Sequence, residues 1–103
     1  MILSIIIPTC NRIELLNRAV NSITAQIDDV KKFNVELQIV IVDDSNKEQV
    51  VEIKNAIKLD GYNIKVIRNT GPHSAANARN FGVRHCDGEL VSFLDDDDIF
   101  LLG

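Results

Sequence analysis

Four apolar segments, each running straight into a cluster of polar residues, constrain this chain more than any other feature. They are "SIIIPTCN" from Ser4, "QIVIVDDS" from Gln38, "KVIRNTGP" from Lys65 and "LVSFLDDDD" from Leu90. Leu3 to Ile7 is β-branched, lacks polar alternation and ends at Pro8, the pattern of a strand covered on both faces. Beyond it Leu16, Ala19, Val20, Ile23 and Ile27 recur at helical spacing, predicting a helix to about Gln26, and Asn11 with Glu14 has the spacing of a capping box. The pattern then repeats. Glu36 to Val42 reads as a second strand, and Ser45 with Glu48 as a second capping box before Val50, Ile53, Ala56 and Ile57. Asn63 to Arg68 reads as a third strand, followed by a helix whose small residues Ala75, Ala76, Ala78 and Gly82 let it lie close to a sheet. Gly88 ends the next turn, and Glu89 to Leu94 reads as a fourth, buried strand.

The order β-α-β-α-β-α-β, with connections long enough for right-handed crossovers, predicts an α/β domain. The expected architecture is a three-layer α/β/α fold with a parallel, Rossmann-like sheet of strand order 3-2-1-4. At 103 residues, 46% of them hydrophobic, the chain is expected to form one domain with a real core. A net charge of −4 with no basic stripe excludes a general nucleic-acid binder, which must displace phosphate counterions. Cys10 and Cys86 match neither a disulfide framework nor a C-x-x-C motif, and no run approaches the roughly 18 apolar residues of a membrane span. The opening residues lack a basic region and read as strand rather than signal peptide. The expected location is the cytoplasm, with the cytoplasmic face of the membrane as the alternative for the full-length protein.

In open α/β sheets, ligands bind beyond the carboxyl ends of the strands, and all four polar clusters fall at that edge. The run Asp95 to Asp98 can be a solvated turn or a metal site. Two unit charges about 5 Å apart repel by about 3 kcal/mol at an effective dielectric near 20, so four crowded carboxylates favour a cation. Carboxylate oxygens are hard donors suited to Mg²⁺ or Mn²⁺. Asp43 and Asp44 can cap the second helix; if Ser45 does that, one of the pair is free to accept a hydrogen bond from a base or ribose. Arg12 and Arg79 lie near the same edge, where a guanidinium can clamp phosphate in bidentate fashion. His73 and His85 have no partner at ligand spacing and read as structural or surface residues, and Cys10 reads as a small apolar residue rather than a nucleophile. Neither G-x-G-x-x-G nor G-x-x-x-x-G-K-[ST] is present, against dinucleotide binding and P-loop hydrolysis.

Taken in order, "SIIIPTCNR", "IVIVDDS", "RNTGPHSAANARNFGV" and "GELVSFLDDDDIF" resemble the amino-terminal half of a family 2 glycosyltransferase of the GT-A fold, over essentially the whole chain. The resemblance implies that Pro8, Thr9, Asn11 and Arg12 match the family's first motif, with Cys10 standing where the family has a tyrosine. It implies that Asp43 accepts a hydrogen bond from the nucleotide base, typically uracil, and that Arg79 lies near the diphosphate. It aligns Asp95, Asp96 and Asp97 with the DxD motif: Asp95 and Asp97 at a divalent ion, Mn²⁺ or Mg²⁺, Asp96 near the ribose or sugar, and Asp98 as a following acid. The implied donor is a nucleotide sugar, a UDP-sugar above all, transferred to an acceptor hydroxyl with inversion.

The general base that such transfer needs, and the acceptor half, are expected beyond residue 103. The chain is thus expected to be the donor-binding half, truncated after the DxD motif and inactive alone. The open edge of the fourth strand is expected to favour self-association. Two other functions compete, a non-catalytic fold fragment and a receiver-type signalling module. A receiver needs an acidic pair after its first strand, where this chain has "PTCN".

Overall fold

A computed structural model describes residues 1–57 and 59–101. Its order is β1 (Ile2–Thr9), α1 (Ile13–Thr24), α2 (Ile27–Lys31), β2 (Glu36–Asp43), α3 (Val50–Ala56), β3 (Asn63–Arg68), α4 (Ala75–His85) and β4 (Leu90–Phe93). The strands form one parallel sheet of order β3-β2-β1-β4, as expected. Ile5, Ile7, Leu37, Ile39 and Ile41 face α1, α2 and α3, burying Leu16, Val20, Ile23, Val30 and Ile53 between them. On the other face Ile6, Val40 and Val42 pack against Ala78 of α4. Covering both faces explains why the centres of the first two strands, Ile5 to Ile7 and Ile39 to Val42, are apolar on both sides.

The register sets the working edge. Thr9, Asp43 and Arg68 end their strands as one row, paired Thr9 to Asp43 and Asp43 to Arg68. β4 stops lower, its last pair being Phe93 with Ile6. The level of Pro8 and Thr9 on that side of β1 is therefore left to the segment that follows β4.

Several local expectations are corrected. β1 does not end at Pro8 but runs through it to Thr9. The carbonyl of Ile6 points to β4, accepting from the Leu94 N–H, so two residues on the missing N–H of Pro8 faces the same side, beyond the end of that ladder. Neither capping box forms. Asn11 takes a left-handed φ of 56° and no side chain caps α1 or α3, whose flanking residues are Arg12 and Gln49. α4 does have a side-chain cap, Ser74 accepting from the Asn77 N–H. The first helical segment ends at Thr24, and the chain turns into the short α2, which adds Val30 to the core. β4 is not buried: Leu90 is 51% and Phe93 50% exposed, since β4 is the outermost strand on that side.

α4 packs closely because of Gly82. A Cβ there would lie 2.5 Å from Ile6 Cγ2 and 3.1 Å from Val42 Cγ2, both on fully buried, β-branched side chains with little freedom to move. Gly82→Ala should therefore lower stability by about 1–2 kcal/mol, overpacking outweighing the gain in helix propensity. Urea denaturation measures this; an unchanged or higher midpoint would mean that α4 does not depend on this close approach.

Candidate functional site: a cleft at the carboxyl ends of the strands

The segment after β4 folds over the end of β1 and is pinned from both sides. The Leu94 N–H bonds the Ile6 carbonyl, and the Phe100 N–H bonds Ser22 Oγ on α1, while Gln26 Nε2 donates to the Phe100 carbonyl at 2.6 Å. Between these anchors the aspartates make a tight turn, closed by the Asp98 N–H on the Asp95 carbonyl at 3.0 Å. Asp96 points inward. It is 7% exposed and accepts from Thr9 Oγ1 at 3.0 Å, with Arg12 Nη1 3.5 Å from its other oxygen. Asp95, Asp97 and Asp98 point to solvent, and each offers an oxygen within 4.8 Å of the others'.

Two guanidiniums offset this charge. Arg79, on α4, lies 3.0 Å from Asp95, and Arg12 lies 3.7 Å from Asp97 while also reaching Asp96. Arg18 adds a bond of 3.0 Å to the Asp97 carbonyl. The Arg12 side chain is 53% and that of Asp97 54% exposed, so their pair is screened and contributes little to stability. Such contacts exchange readily for a phosphate or a metal ion.

The aspartates after β2 have opposite fates. Asp43 is completely buried and its oxygens are taken: Oδ1 accepts from the Ser45 N–H at 3.1 Å, and Oδ2 from the Gln49 N–H at 2.7 Å and from Arg68 at 3.2 Å. Burial by itself would raise its pKa, but these hydrogen bonds and the Arg68 charge outweigh it and hold the carboxyl below its ordinary value of 3.8. Ser45 bonds the Asn11 N–H and Gln49 instead of capping α3. Asp44 is turned the other way. Its N–H bonds the Thr9 carbonyl at 2.8 Å, and its Oδ1 accepts from Asn69 Nδ2 at 2.8 Å and lies 2.8 Å from His73 Nδ1.

These residues enclose a cleft of about 340 Å³, lined by Pro8, Thr9, Cys10, Arg12, Asp44, Ala75, Arg79, Asp95, Asp96 and Asp97. That size suits a small-molecule ligand. Of the residues singled out from sequence, Pro8, Thr9, Arg12, Arg79, Asp95, Asp96 and Asp97 meet here. Asn11 lines a neighbouring depression with Gln49, and Asp43 lies beneath the wall. Asp44, which the sequence offered only as one of a pair with Asp43, lines the cleft, whereas Ala75 and, behind Asp44, His73 were missed as site residues. Strand alternation could have found Asp44: Leu37, Ile39, Ile41 and Asp43 face α1 and α3, so Asp44 continues the row of Val40 and Val42. A strand apolar on both faces conceals that count.

The model of glycosyl transferase family 2 matches residues 4–102. The chain belongs to this family. Among curated relatives, an enzyme of Campylobacter jejuni described as GalNAc(5)-diNAcBac-PP-undecaprenol beta-1,3-glucosyltransferase is 36% identical over 102 residues, covering 98% of this chain and 31% of that protein. The crystal structure of residues 1–349 of TarS from Staphylococcus aureus superposes with a TM-score of 0.75 at 30% identity, covering 96% of this chain and 28% of that one. The same TarS segment has been solved in complex with UDP-GlcNAc, where the TM-score is 0.69 at 32% identity over 96% of this chain and 27% of that one. A mannosyltransferase of Pyrobaculum calidifontis, solved with GDP-Man and Mn²⁺, shares the fold, with a TM-score of 0.66 at 22% identity over 95% of this chain and 28% of that one. The chain described here thus spans about three-tenths of the length of each of these proteins. Among its described residues no helix is long and apolar enough to cross a membrane.

Proposed function

We propose that this chain is the donor-binding part of a glycosyltransferase, holding a nucleotide sugar, a UDP-sugar above all, in the cleft by means of a divalent cation. The observation that carries this reading is one cleft with three kinds of group: an acidic turn open to solvent, two exchangeable guanidiniums and a separate, oriented carboxylate. The UDP-GlcNAc complex of TarS, at 32% identity, supports the choice of uridine.

Each group has a task. Asp44 takes the role that the family resemblance gave to Asp43: its Oδ2 has no donor among the described residues, whereas both oxygens of Asp43 are used in holding the loop. Asp44 accepts a ring N–H of the base. Asp96, oriented by Thr9, faces the ribose or sugar, and Pro8 forms the wall beside it. Asp95 and Asp97, with Asp98 beside them, fit a hard cation: their donors are all carboxylate oxygens, and their exposure leaves room for water and phosphate oxygens. The ion, when bound, would neutralise charge on the diphosphate leaving group as the glycosyl bond breaks. Arg12 and Arg79 turn from the aspartates to the phosphates, and Asn11 shapes the turn that delivers Arg12 to the cleft. Attack on the sugar needs a base for the acceptor hydroxyl, and no residue of this cleft is assigned that role.

Calorimetric titration with UDP tests the reading. Binding should be at least about tenfold tighter with Mn²⁺ than with EDTA, a difference of about 1.4 kcal/mol. No binding of UDP in either condition, with the circular dichroism spectrum of a folded α/β domain, would sink it.

A further inference from the structure

His73 lies outside every role assigned so far, yet its ring makes a directed contact at the cleft. Nδ1 is 2.8 Å from Asp44 Oδ1, the same oxygen that accepts from Asn69 Nδ2 at 2.8 Å. A carboxylate accepts hydrogen bonds and does not donate them, so this contact requires the proton to sit on Nδ1. The partner oxygen is thereby committed. Asn69 is in turn held, its Oδ1 accepting from the Gly71 N–H at 3.0 Å and its Nδ2 also reaching the Pro72 carbonyl at 3.1 Å. The loop "NTGPH" thus brings two donors to one oxygen of a carboxylate whose backbone N–H is fixed on Thr9. Among the described residues no donor reaches Oδ2 of Asp44, which is left for a ligand.

That asymmetry bears on which base fits. Uracil presents one ring N–H between two carbonyls, so a single carboxylate oxygen satisfies its donor. Guanine presents a ring N–H and an adjacent amino group, and pairing both with a carboxylate takes both oxygens. With Oδ1 already accepting from Asn69 and His73, the guanine amino group would lose its partner, and an unpaired donor in a desolvated contact costs about tenfold or more in affinity.

We propose that His73 is a specificity-determining positioning residue: by occupying Asp44 Oδ1 it makes the cleft present one carboxylate acceptor and select uracil over guanine. This rests on the nucleotide-donor reading above, and its failure is separable from the failure of that reading. The test is titration of wild type, His73→Ala and His73→Asn with UDP and with GDP in Mn²⁺. His73 is half exposed on a loop, so its replacement leaves the core intact, which thermal melts verify. Wild type should prefer UDP by about tenfold or more. In H73A the freed Oδ1 can accept from the guanine amino group, so GDP affinity should rise about fivefold with UDP little changed, and the preference narrows to about twofold. The asparagine amide can donate from near the position of Nδ1, so H73N should restore the preference. A UDP to GDP ratio unchanged in H73A, including equal weakening of both, would overturn the proposal, as would H73N behaving like H73A. Wild type that binds neither nucleotide would overturn the donor reading itself, and this proposal with it.

Discussion

Asp43→Ala should destabilise the fold by about 3–5 kcal/mol, whereas Asp44→Ala, one residue along, should cost about 1 kcal/mol or less and abolish nucleotide binding. The two side chains differ in what they hold. Removing the Asp43 carboxylate strands the Ser45 and Gln49 N–H groups and leaves Arg68, whose side chain is only 21% exposed, without its charged partner. Those contacts tie β2, β3 and the start of α3 together at the row where the strands end. Asp44 loses its bonds to Asn69 and His73, but Asn69 keeps the Pro72 carbonyl, and no core residue shifts. Urea denaturation measures the stabilities and calorimetry with UDP and Mn²⁺ the binding. Equal destabilisation by both variants would remove the distinction between a scaffold acid and a cleft acid.

The same contrast has a pH signature. Because the Asp43 carboxyl is held below its ordinary value of 3.8 in the folded state, its contribution is fully present above that value and is lost as pH falls through the lower, folded one. Wild type should therefore lose stability more steeply than Asp43→Ala below about pH 4. Parallel stability curves for the two proteins across that window would contradict this assignment.

The second large effect is on cation dependence. In the double variant Asp95→Ala, Asp97→Ala, the difference between UDP binding in Mn²⁺ and in EDTA should disappear, a loss of at least about tenfold in the presence of the metal. The fold should not suffer. Both residues are exposed, and their removal relieves the crowding in the turn, while Asp96 keeps its bond to Thr9 and the anchors at Leu94 and Phe100 persist. A double variant that still binds UDP more tightly in Mn²⁺ would move the cation away from these aspartates.

The acidic turn illustrates how a charge argument from sequence is refined by packing. Four adjacent carboxylates predict a cation, and the structure does supply positive charge, but from Arg12, Arg79 and Arg18, which arrive from α4 and from the start and first turns of α1. The Arg12–Asp97 and Arg79–Asp95 pairs are open to solvent and weak, so they balance the turn without blocking a metal. The run also does not act as a unit. Asp96 is inside, and its three neighbours are outside, because the turn is pinned at Leu94 and Phe100 and one of its side chains must face Thr9.

Sequence alone determined the layout of this protein. Largely apolar, β-branched segments alternating with helical periodicity leave a parallel sheet covered on both faces as the economical solution, and that topology gathers "PTCNR", "DDS" and "DDDD" at one edge. The small residues of the fourth helix likewise announced a close approach, which Gly82 makes against Ile6 and Val42. Tertiary structure alone decided which polar side chains meet. In "VDDS" alternation puts the two aspartates on opposite faces, but only the register of β2 against β3 brings Arg68 to Asp43. In "PTCNR" the left-handed turn at Asn11 sends Arg12 to the cleft and Asn11 away from it. His73 shows no signal in sequence because its partner lies 29 residues earlier, and only the folding of two strand-end loops against each other brings the imidazole to the carboxylate. Periodicity along a chain encodes which face of an element is buried; it does not encode which polar group, at the end of that element, will find its partner on another.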